Sequence, residues 1–210
     1  MQNTAPKPAI PRKSIYRLSI YQRCLHRLAE NTIRTVSSEA LAKAAGVKPT
    51  QLRKDLAYFG QFGTRGLGYD VTTLMEALDE VLGTARLQPV VLVGVGNLGS
   101  ALLRYQGFRK EGFEIVAAFD LDPERHRSAD FKVPVLPHHQ MTEYVRRHQA
   151  KMAILSVPAK AAQNVANDLV AAGVQAILNF SPTVLEVPEE VVVNSVDLAV
   201  ELENLSFFIR

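Results

Sequence analysis

The chain has 210 residues, 47% of them hydrophobic, and a net charge of +3. This length suffices for two small domains with separate cores, but no apolar run approaches the roughly 20 residues that span a bilayer. Three prolines, Pro6, Pro8 and Pro11, interrupt any apolar core of a signal peptide near the N-terminus. A single cysteine, Cys24, excludes an intrachain disulfide and a cysteine-rich metal site. We therefore expect a reduced, soluble, cytoplasmic protein without a metal.

Charge is unevenly divided along the chain. The first 70 residues contain 12 Lys/Arg and 4 Asp/Glu, a net charge of +8, and the remaining 140 residues carry −5. A basic N-terminal part and an acidic C-terminal part are expected when only the N-terminal part binds a polyanion. A solvated surface that is basic by chance is the alternative.

The N-terminal part of the sequence predicts three helices. Residues 1–13 are rich in proline and basic residues and are interpreted as a mobile arm, after which a helical spacing of apolar residues begins at Ser14. A second helix is predicted over Glu39–Ala45, with N-cap candidates before it and a turn at Gly46 after it. A third helix begins at Pro49, where the missing N–H costs nothing.

The third helix divides into a core face and a polar face. Leu52, Leu56 and Phe59 share the core face, whereas polar residues crowd the other face near the N-terminus, as in a recognition helix that enters the major groove. Arg and Gln side chains make bidentate contacts with guanine and adenine, and Lys side chains contact phosphate. The predicted DNA-contacting residues are Arg12, Lys48, Thr50, Gln51, Arg53, Lys54, Tyr58 and Arg65. A plain three-helix bundle with a solvated face is the alternative.

A glycine-rich segment follows this helix. Residues 60–71 contain four glycines and suit a tight hairpin whose backbone approaches something closely. Beside a recognition helix such a hairpin is a wing, and Arg65 at its tip is placed to enter the minor groove or to hold phosphate. Residues 1–82 are therefore predicted to form a winged-helix DNA-binding domain, with a last helix over Thr72–Gln88 that leads out of it.

The rest of the chain alternates between strands and helices, which predicts an α/β domain with a parallel sheet covered on both faces. The strand-like runs are Pro89–Val93, Glu114–Asp120, a weak run at Val133–Leu136, Met152–Val157, Ala176–Phe180 and Val191–Val196. The helical runs between them include Ser100–Arg109, Met141–His148 and Lys160–Ala172. We assign residues 83–192 to this Rossmann-like domain.

A dinucleotide loop stands between the first strand and the first helix of this domain. Its residues are Gly94, Val95, Gly96, Asn97, Leu98 and Gly99. The three glycines allow a tight turn, close approach of the pyrophosphate and close helix packing, and the helix N-terminus attracts phosphate. Asp120 ends the second strand 21 residues after Gly99, where a carboxylate accepts both ribose hydroxyls and repels a 2′-phosphate. This favours NADH/NAD+ over NADP.

Further cofactor contacts are expected where other strands end, because ligands lie at the carboxyl ends of parallel strands. The remaining candidates are Leu121, Asp122, Ser156, Val157, Pro158, Asn179, Phe180 and Ser181. No histidine lies at these strand ends to act as an acid or base, so catalytic residues are not predicted. His138 and His139 are interpreted as surface loop residues and not as metal ligands, since no carboxylate or thiol lies at ligand spacing.

The tail from Leu198 to Arg210 is amphipathic, and residues 193–210 are assigned to a C-terminal dimerisation helix. Leu198, Leu202, Leu205 and Ile209 form one apolar stripe. At a chain end this stripe either caps its own sheet or exchanges with a partner subunit.

The chain as a whole resembles the bacterial redox-sensing repressors of the Rex family. The resemblance is carried by residues 51–56, 63–69 and 94–99, by 119–123, and by 177–179 with Phe180 and 196–198. It implies a homodimer with an N-terminal winged helix, a Rossmann-like NAD(H) domain and a C-terminal helix swapped between subunits. It also implies an inverted-repeat operator on double-stranded DNA, bound when NADH is scarce and released when NADH binds.

The resemblance further implies a polar linkage between the first helix, the nucleotide domain and the swapped tail. By motif position its members here are Arg23, Tyr105 and Asp197. Some family members have an aromatic residue after the aspartate that contacts the nicotinamide, whereas this chain has Leu198. A ring-stacking role is therefore not expected here, but apolar packing is.

Three other functions compete with redox sensing. A small NAD-dependent dehydrogenase with a basic extension would need an acid or base that the sequence does not supply. A coenzyme A sensor is possible because the nucleotide domain also resembles CoA-binding domains, although Asp120 would repel the adenosine 3′-phosphate. A structural DNA-binding dimer with an unused nucleotide site would bind its operator regardless of ligand.

Overall fold

The chain divides into two compact units, one reaching Arg86 and the other beginning at Leu87. The structure, a computed structural model, describes residues 10–64, 66–126 and 128–209. Each unit has its own buried apolar core.

The described part of the first unit combines helices with a small antiparallel sheet. The helices are α1 (Arg12–Glu30), α2 (Ser38–Ala44), α3 (Pro49–Ala57) and α4 (Val71–Leu82). The strands are β1 (Thr35–Val36), β2 (Gly63–Thr64) and β3 (Gly68–Asp70), in the order β1-β3-β2. The predicted winged-helix arrangement is confirmed, with β2 and β3 as the wing.

Local sequence explains where these helices begin and end. The Ser37 hydroxyl accepts a hydrogen bond from the backbone N–H of Ala40 at 3.0 Å and caps α2. Pro49 occupies the first turn of α3, and Asp70 caps α4 with its side chain. Gly83 ends α4 in the left-handed conformation, with φ at +73°.

The core of the first unit lies between α1, α3 and α4. On α1 the side chains of Leu18, Tyr21 and Leu25 are fully buried, at the spacing of one helical face. Leu52 of α3 and Leu74 of α4 are fully buried in the same cluster. This packing holds α3 against α1 and turns the opposite face of α3 outward.

Two predicted boundaries in this unit are wrong. The arm was expected to continue to residue 13, but α1 begins at Arg12, so Arg12 and Lys13 are helical. Pro11 supplies the N-cap position, because its φ of −61° suits the residue before a helix. The helix predicted over Thr72–Gln88 ends at Leu82, since Gly83 stops it.

The second unit is built on a parallel sheet. Its strands are β4 (Gln88–Val93), β5 (Phe113–Asp120), β6 (Val135–Pro137), β7 (Met152–Leu155), β8 (Ala176–Asn179) and β9 (Val192–Ser195). They pair in the order β6-β5-β4-β7-β8-β9, and every pairing is parallel. This is the doubly wound strand order of dinucleotide-binding folds. Successive strands are added first on one side of β4 and then on the other, so the strand order reverses beside β4.

Helices connect these strands on both faces of the sheet, and a last helix follows β9. They are α5 (Asn97–Arg104), α6 (Gly107–Lys110), α7 (Pro123–His126), α8 (Met141–His148), α9 (Ala159–Ala172) and α10 (Leu198–Phe207). One helix predicted over Ser100–Arg109 is instead two, because the backbone of Tyr105 is extended.

Side chains of β4 alternate between two apolar layers. Val91 and Val93 belong to the layer that contains Leu169 of α9, whereas Val90 and Leu92 belong to the layer on the other face. The sheet is therefore buried on both sides, and the carboxyl ends of its strands are left as the open edge where a ligand can bind.

Candidate dinucleotide pocket and nucleic-acid interface

The segment 94–99, which joins β4 to the first turn of α5, has two glycines that the protein itself requires. Gly94 has a φ of +94°, and a Cβ there would lie 2.5 Å from the backbone oxygen of Ser156. A Cβ on Gly99 would overlap the backbone oxygen of Gly94. These two residues let β4, β7 and α5 approach each other closely at one corner of the sheet.

Gly96 is different. Its φ of −63° is open to any residue, and a Cβ there would meet nothing within 4 Å in the described protein. The space beside Gly96 is therefore left for something other than the protein's own backbone, at the N-terminus of α5 where anions are favoured.

Asp120 is tied to this loop by backbone hydrogen bonds. Its Oδ2 accepts from the N–H of Val95 at 2.7 Å, and its Oδ1 accepts from the N–H of Asp122 at 3.0 Å. An ionised carboxylate offers about four acceptor positions, so two remain for ribose hydroxyls. Asp120 thus holds the loop in place while it stays available to a ligand.

A cavity of about 690 Å³ opens beside the loop and Asp120. It has the size expected for a small-molecule or cofactor site, and its walls are mostly apolar with few polar groups. The lining residues are Val93, Gly94, Gly96, Leu98, Phe119, Asp120, Leu121, His138, Ser156, Val157, Pro158, Ala161, Asn164, Val165 and Phe180.

Nine of the fifteen predicted cofactor residues line this cavity, namely Gly94, Gly96, Leu98, Asp120, Leu121, Ser156, Val157, Pro158 and Phe180. The structure places the other six, Val95, Asn97, Gly99, Asp122, Asn179 and Ser181, outside the lining. Val95 and Gly99 are buried beneath the loop, whereas Asn97 and Asp122 are exposed at its edges.

Asn179 and Ser181 are buried and brace the crevice from behind. The Asn179 amide donates to the backbone oxygen of Thr183 at 2.9 Å, and its Oδ1 accepts from the Ser181 N–H at 2.9 Å. The Ser181 hydroxyl donates to the backbone oxygen of Val157 at 2.7 Å. Their side chains therefore position Val157 and Phe180, which face the cavity.

Sequence reasoning missed His138, which was interpreted as a surface loop residue. The imidazole lines the cavity at the end of β6, beside the strand that carries Asp120. Its Nε2 is buried, has no hydrogen-bond partner among the described residues, and lies 4.0 Å from Oδ2 of Asp168. The position of His138 directly after a strand was the signal, but the strand itself was only weakly predicted. Ala161, Asn164 and Val165 of α9 were also missed.

The predicted nucleic-acid face of α3 is largely open to solvent. Lys48, Thr50, Arg53 and Lys54 are exposed, and so is Arg12 on α1. The remaining predicted contacts, Gln51 and Tyr58, are half-buried, and Arg65 lies outside the described residues.

Arg53 makes only weak contacts within the protein. Its Nη1 donates to the Ser38 hydroxyl at 3.1 Å and lies 3.8 Å from Oε1 of Glu39, both on α2. Exposed ion pairs of this kind contribute little to stability, so the guanidinium is available to a ligand.

A buried ionic network fixes α3 against α1. Asp55 of α3 is fully buried and accepts hydrogen bonds from Nε and Nη2 of Arg17 at 2.6 and 2.7 Å. The Tyr21 hydroxyl donates to the same carboxylate at 2.8 Å, and the Gln51 amide donates at 3.0 Å.

These contacts determine the charge state of the network. Burial opposes ionisation of Asp55, but the hydrogen bonds from Arg17, Tyr21 and Gln51 outweigh it and hold the pKa of Asp55 at about 2. Burial and the bond to Asp55 raise the pKa of Tyr21, and the bond to Asp55 raises the pKa of Arg17. The carboxylate is therefore ionised and fully partnered at neutral pH.

The three residues of the implied polar linkage belong to three different segments of the chain. Arg23 is exposed on α1. Tyr105 is 60% exposed between α5 and α6 and packs edge-on against Phe108. Asp197 caps α10 by accepting from the N–H of Ala199 at 2.9 Å, and Leu198, next to it, is 64% exposed. The linkage itself stays a prediction.

The structure gives no sign of a metal site or a membrane span in residues 10–64, 66–126 and 128–209. No group of three or more metal-binding side chains comes together there. None of the described helices combines the length and the apolar character needed to cross a bilayer.

Two family models match the chain. One, described as "CoA binding domain", matches residues 86–183. The other, described as "Putative DNA-binding protein N-terminus", matches residues 9–57.

Similar proteins match almost the whole chain. The redox-sensing transcriptional repressor Rex of Carboxydothermus hydrogenoformans is 50% identical over 201 residues, which cover 96% of this chain and 97% of that protein. The Rex of Pelotomaculum thermopropionicum is 48% identical over 198 residues, which cover 94% and 93%.

Solved structures of RSP, a Rex-family repressor, have the same fold. The complex of RSP with beta-NAD+ and operator DNA gives a TM-score of 0.86 at 34% identity and covers 97% of this chain and 94% of RSP. The complex of RSP with beta-NADH gives 0.83 at 33% identity and covers 97% and 95%.

Proposed function

Because the chain belongs to the Rex family of redox-sensing transcriptional repressors, we propose that it is a repressor that senses the NADH/NAD+ ratio. It binds an inverted-repeat operator on double-stranded DNA as a homodimer and releases the DNA when NADH binds. In this proposal it acts on DNA in the cytoplasm. NADH and NAD+ act as signals in this proposal and are not consumed, so the protein is not an enzyme.

The observation that carries the proposal is the pairing of a dinucleotide cavity with an exposed basic helix in one chain. The cavity joins the open side of Gly96, for pyrophosphate, to the carboxylate of Asp120, for ribose. The exposed face of α3 offers Arg53 and Lys54 to DNA. RSP, with the same fold, has been solved with both nucleotides and with operator DNA.

The redox state is distinguished at the nicotinamide end of the cavity. NAD+ carries a positive charge on its nicotinamide ring, and NADH does not. Val157 and Phe180 wall the cavity with apolar groups, so entry of the charged ring costs desolvation. Differential affinity of this kind is what lets a ligand shift an equilibrium between two states.

The homodimer is supported by the C-terminal helix. The described residues of α10 and the turn after it leave seven apolar side chains exposed: Leu198, Val200, Leu202, Leu205, Phe207, Phe208 and Ile209. A group of exposed apolar side chains of this kind marks a protein interface, and we propose that α10 is exchanged between subunits, without residues 193–195 of the predicted segment 193–210, which belong to β9. Closing the dimer on NADH then changes the spacing of two recognition helices, which must match half-sites about one helical turn apart.

The test is operator binding followed by fluorescence anisotropy at one fixed salt concentration. NADH and NAD+ are titrated in parallel into the protein–DNA complex. We expect NADH to release the DNA at concentrations where NAD+ does not. Release by both nucleotides at the same concentration, or by neither, would contradict the proposal.

A second candidate ligand is coenzyme A, because the CoA-binding family model matches residues 86–183. Asp120 weighs against it, since its carboxylate lines the cavity and would repel a 3′-phosphate bound beside it. Competition of CoA against NADH in the same assay separates the two candidates. Release of DNA by CoA alone would favour the second one.

A further inference from the structure

The cavity beside the glycine loop runs along the edge of the sheet, past the ends of five neighbouring strands. Its lining includes residues at the ends of β4, β5, β7 and β8, and His138, which directly follows β6. These strands lie in the order β6-β5-β4-β7-β8. Since neighbouring strands are about 4.8 Å apart, a ligand that follows this edge meets the strand ends in a fixed order.

The positions proposed for the pyrophosphate and the ribose give the direction in which a dinucleotide runs along the edge. The pyrophosphate is assigned to Gly96 after β4, and the adenosine ribose to Asp120 at the end of β5. Adenine is attached to this ribose and therefore comes next in the order, at β6. The nicotinamide half extends the other way, to Val157 after β7 and Phe180 after β8. His138 thus marks the adenine end of the cavity.

Leu121 and His138 form walls at this end. Pro137 pairs with Asp120 across the two strands, so the next residues, His138 and Leu121, lie at the same level of the sheet edge. Leu121 lines the cavity and is 86% exposed, so a flat base packed on it would remove apolar surface from water. His138 Nε2 is buried and lies 4.0 Å from Oδ2 of Asp168, so a ligand cannot reach this nitrogen.

Asn164 brings an amide to the same end of the cavity. It lines the cavity from α9, one helical turn before Asp168, so the two residues share one face of the helix. Asp168 in turn lies 4.0 Å from His138, which places Asn164 about one turn from that contact. The Asn164 amide makes no hydrogen bond with a described residue, whereas Asn167 accepts from Nε2 of Gln163 at 2.8 Å.

The other polar side chains in the lining already have partners or assignments. Asp120 is assigned to the ribose, the Ser156 hydroxyl donates to the backbone oxygen of Gly94 at 2.8 Å, and Nε2 of His138 is buried. Among the described lining residues, Asn164 is therefore the one whose side chain keeps both a donor and an acceptor for a ligand. An amide is complementary to adenine, whose 6-amino group donates and whose adjacent ring nitrogens accept.

We propose that Asn164 determines the base specificity of the nucleotide cavity. Its side-chain oxygen accepts a hydrogen bond from the 6-amino group of adenine and its nitrogen donates to a neighbouring ring nitrogen, while Leu121 and His138 pack against the base. The inference rests on the proposed function, from which it takes the positions of the pyrophosphate and the ribose. It divides two tasks along one cavity, with the base recognised at β6 and the redox state at β7 and β8.

The experiment changes one end of the nucleotide at a time. NADH is compared with its purine analogue, in which hydrogen replaces the 6-amino group of adenine. It is also compared with the reduced 3-acetylpyridine analogue, in which a methyl group replaces the amino group of the nicotinamide carboxamide. Isothermal titration gives the affinities of the full native chain, Asn164→Ala and Asn167→Ala. Asn167→Ala is the matched control, because it changes the same residue type on the same helix outside the cavity lining.

We expect the native chain to bind the purine analogue about fivefold more weakly than NADH, as loss of one hydrogen bond implies. In Asn164→Ala this discrimination should fall below about twofold, while discrimination against the acetylpyridine analogue stays native. The affinities for NADH and NAD+ should fall by the same factor, so their ratio is unchanged. Asn167→Ala should behave as the native chain does. Since alanine favours a helix, both variants should melt at or near the native temperature.

Three results would overturn the inference while the chain still binds NADH and releases DNA. They are native discrimination against the purine analogue in Asn164→Ala, absence of that discrimination in the native chain, and an effect of Asn164→Ala on the acetylpyridine analogue alone. The last would place Asn164 at the nicotinamide end. Failure of the native chain to bind NADH would instead overturn the proposed function and this inference together.

Discussion

The backbone N–H of Val95 donates a hydrogen bond to Asp120 Oδ2 at 2.7 Å and so joins the glycine loop after β4 to the end of β5. The carboxylate that the proposed function assigns to the ribose is therefore tied to the loop that it assigns to the pyrophosphate. Under that proposal, a change in the geometry of one of these two contacts should affect binding at the other.

Replacement of Asp120 should weaken NADH binding and relax its discrimination against NADPH. In Asp120→Asn the carboxylate charge that repels a 2′-phosphate is gone, and only one of the two backbone N–H donors keeps an acceptor. We expect the affinity for NADH to fall about tenfold, with a smaller loss for NADPH. Isothermal titration with both nucleotides measures this.

Asp122→Asn is the control for Asp120→Asn. Asp122 is exposed, lies outside the cavity lining, and accepts from the N–H of Arg125 at 3.3 Å. Its replacement should change NADH affinity less than about threefold. Equal effects of the two substitutions would mean that net charge near the loop matters and that Asp120 has no specific contact with the ribose.

Replacement of Gly96 and of Gly99 by alanine should affect two different properties, NADH affinity and stability. Gly96→Ala adds a methyl group that meets no protein atom within 4 Å, so thermal stability should be unchanged while NADH affinity falls. Gly99→Ala forces a methyl group against the backbone of Gly94 and should cost on the order of 1–3 kcal/mol of unfolding free energy. Thermal melts and NADH titrations of both variants measure these effects. Native NADH affinity in Gly96→Ala would show that the pyrophosphate does not lie against Gly96.

The sheet could be predicted from the sequence because its central strands are continuous apolar runs. The strand predicted at Pro89–Val93 is found at Gln88–Val93, and that at Glu114–Asp120 at Phe113–Asp120. The edge strand β6 was predicted to begin at Val133 and instead begins at Val135, since it is only three residues long and ends in Pro137. Short edge strands carry little periodicity, and the error hid the position of His138 at a strand end.

The candidate sites could be predicted only where their residues lie at a fixed spacing in the sequence. The loop 94–99 and Asp120 share a fixed spacing, so they could be placed before the structure was known. Asp55 could not be, because its main partner, Arg17, lies 38 residues away in the sequence. Gln51, which was predicted to contact a base, is also partly engaged, because its amide donates to Asp55 one helical turn away.

The Asp55 network should make the stability of the first unit depend on acid pH. A carboxyl whose pKa falls from its usual 3.8 to about 2 on folding stabilises the folded state above pH 3.8, and this contribution is lost as the pH falls toward 2. The difference corresponds to about 2 kcal/mol. Carboxyl-carbon NMR of Asp55, together with urea unfolding at pH 6 and pH 3, measures both quantities.

Tyr21→Phe is the control for this pH dependence. It keeps the buried ring and removes one of the donors to Asp55, so the pKa of Asp55 should rise toward its usual value and the acid dependence should shrink. An ordinary titration of Asp55 in the native chain would mean that the network is not formed in solution.

Replacement of Arg53 should separate DNA binding from nucleotide binding. The hydrogen bond of Arg53 to Ser38 and its ion pair with Glu39 are both exposed, so Arg53→Ala should fold normally. We expect its operator affinity to fall about tenfold or more at fixed salt, with NADH affinity unchanged. Anisotropy with operator DNA and titration with NADH measure the two effects. Loss of NADH binding would refute the division of labour between the two units.

Phe180 should set the preference for the reduced nucleotide. Its ring lines the cavity with Val157, and a hydroxyl in its place would solvate the charged nicotinamide of NAD+. We expect Phe180→Ser to lower the ratio of NADH to NAD+ affinity by about fivefold, whereas Phe180→Leu, which keeps the wall apolar, should leave the ratio near its native value. Parallel titrations of each variant with both nucleotides give the ratio directly. An unchanged ratio in Phe180→Ser would mean that redox selectivity does not arise from desolvation at this wall.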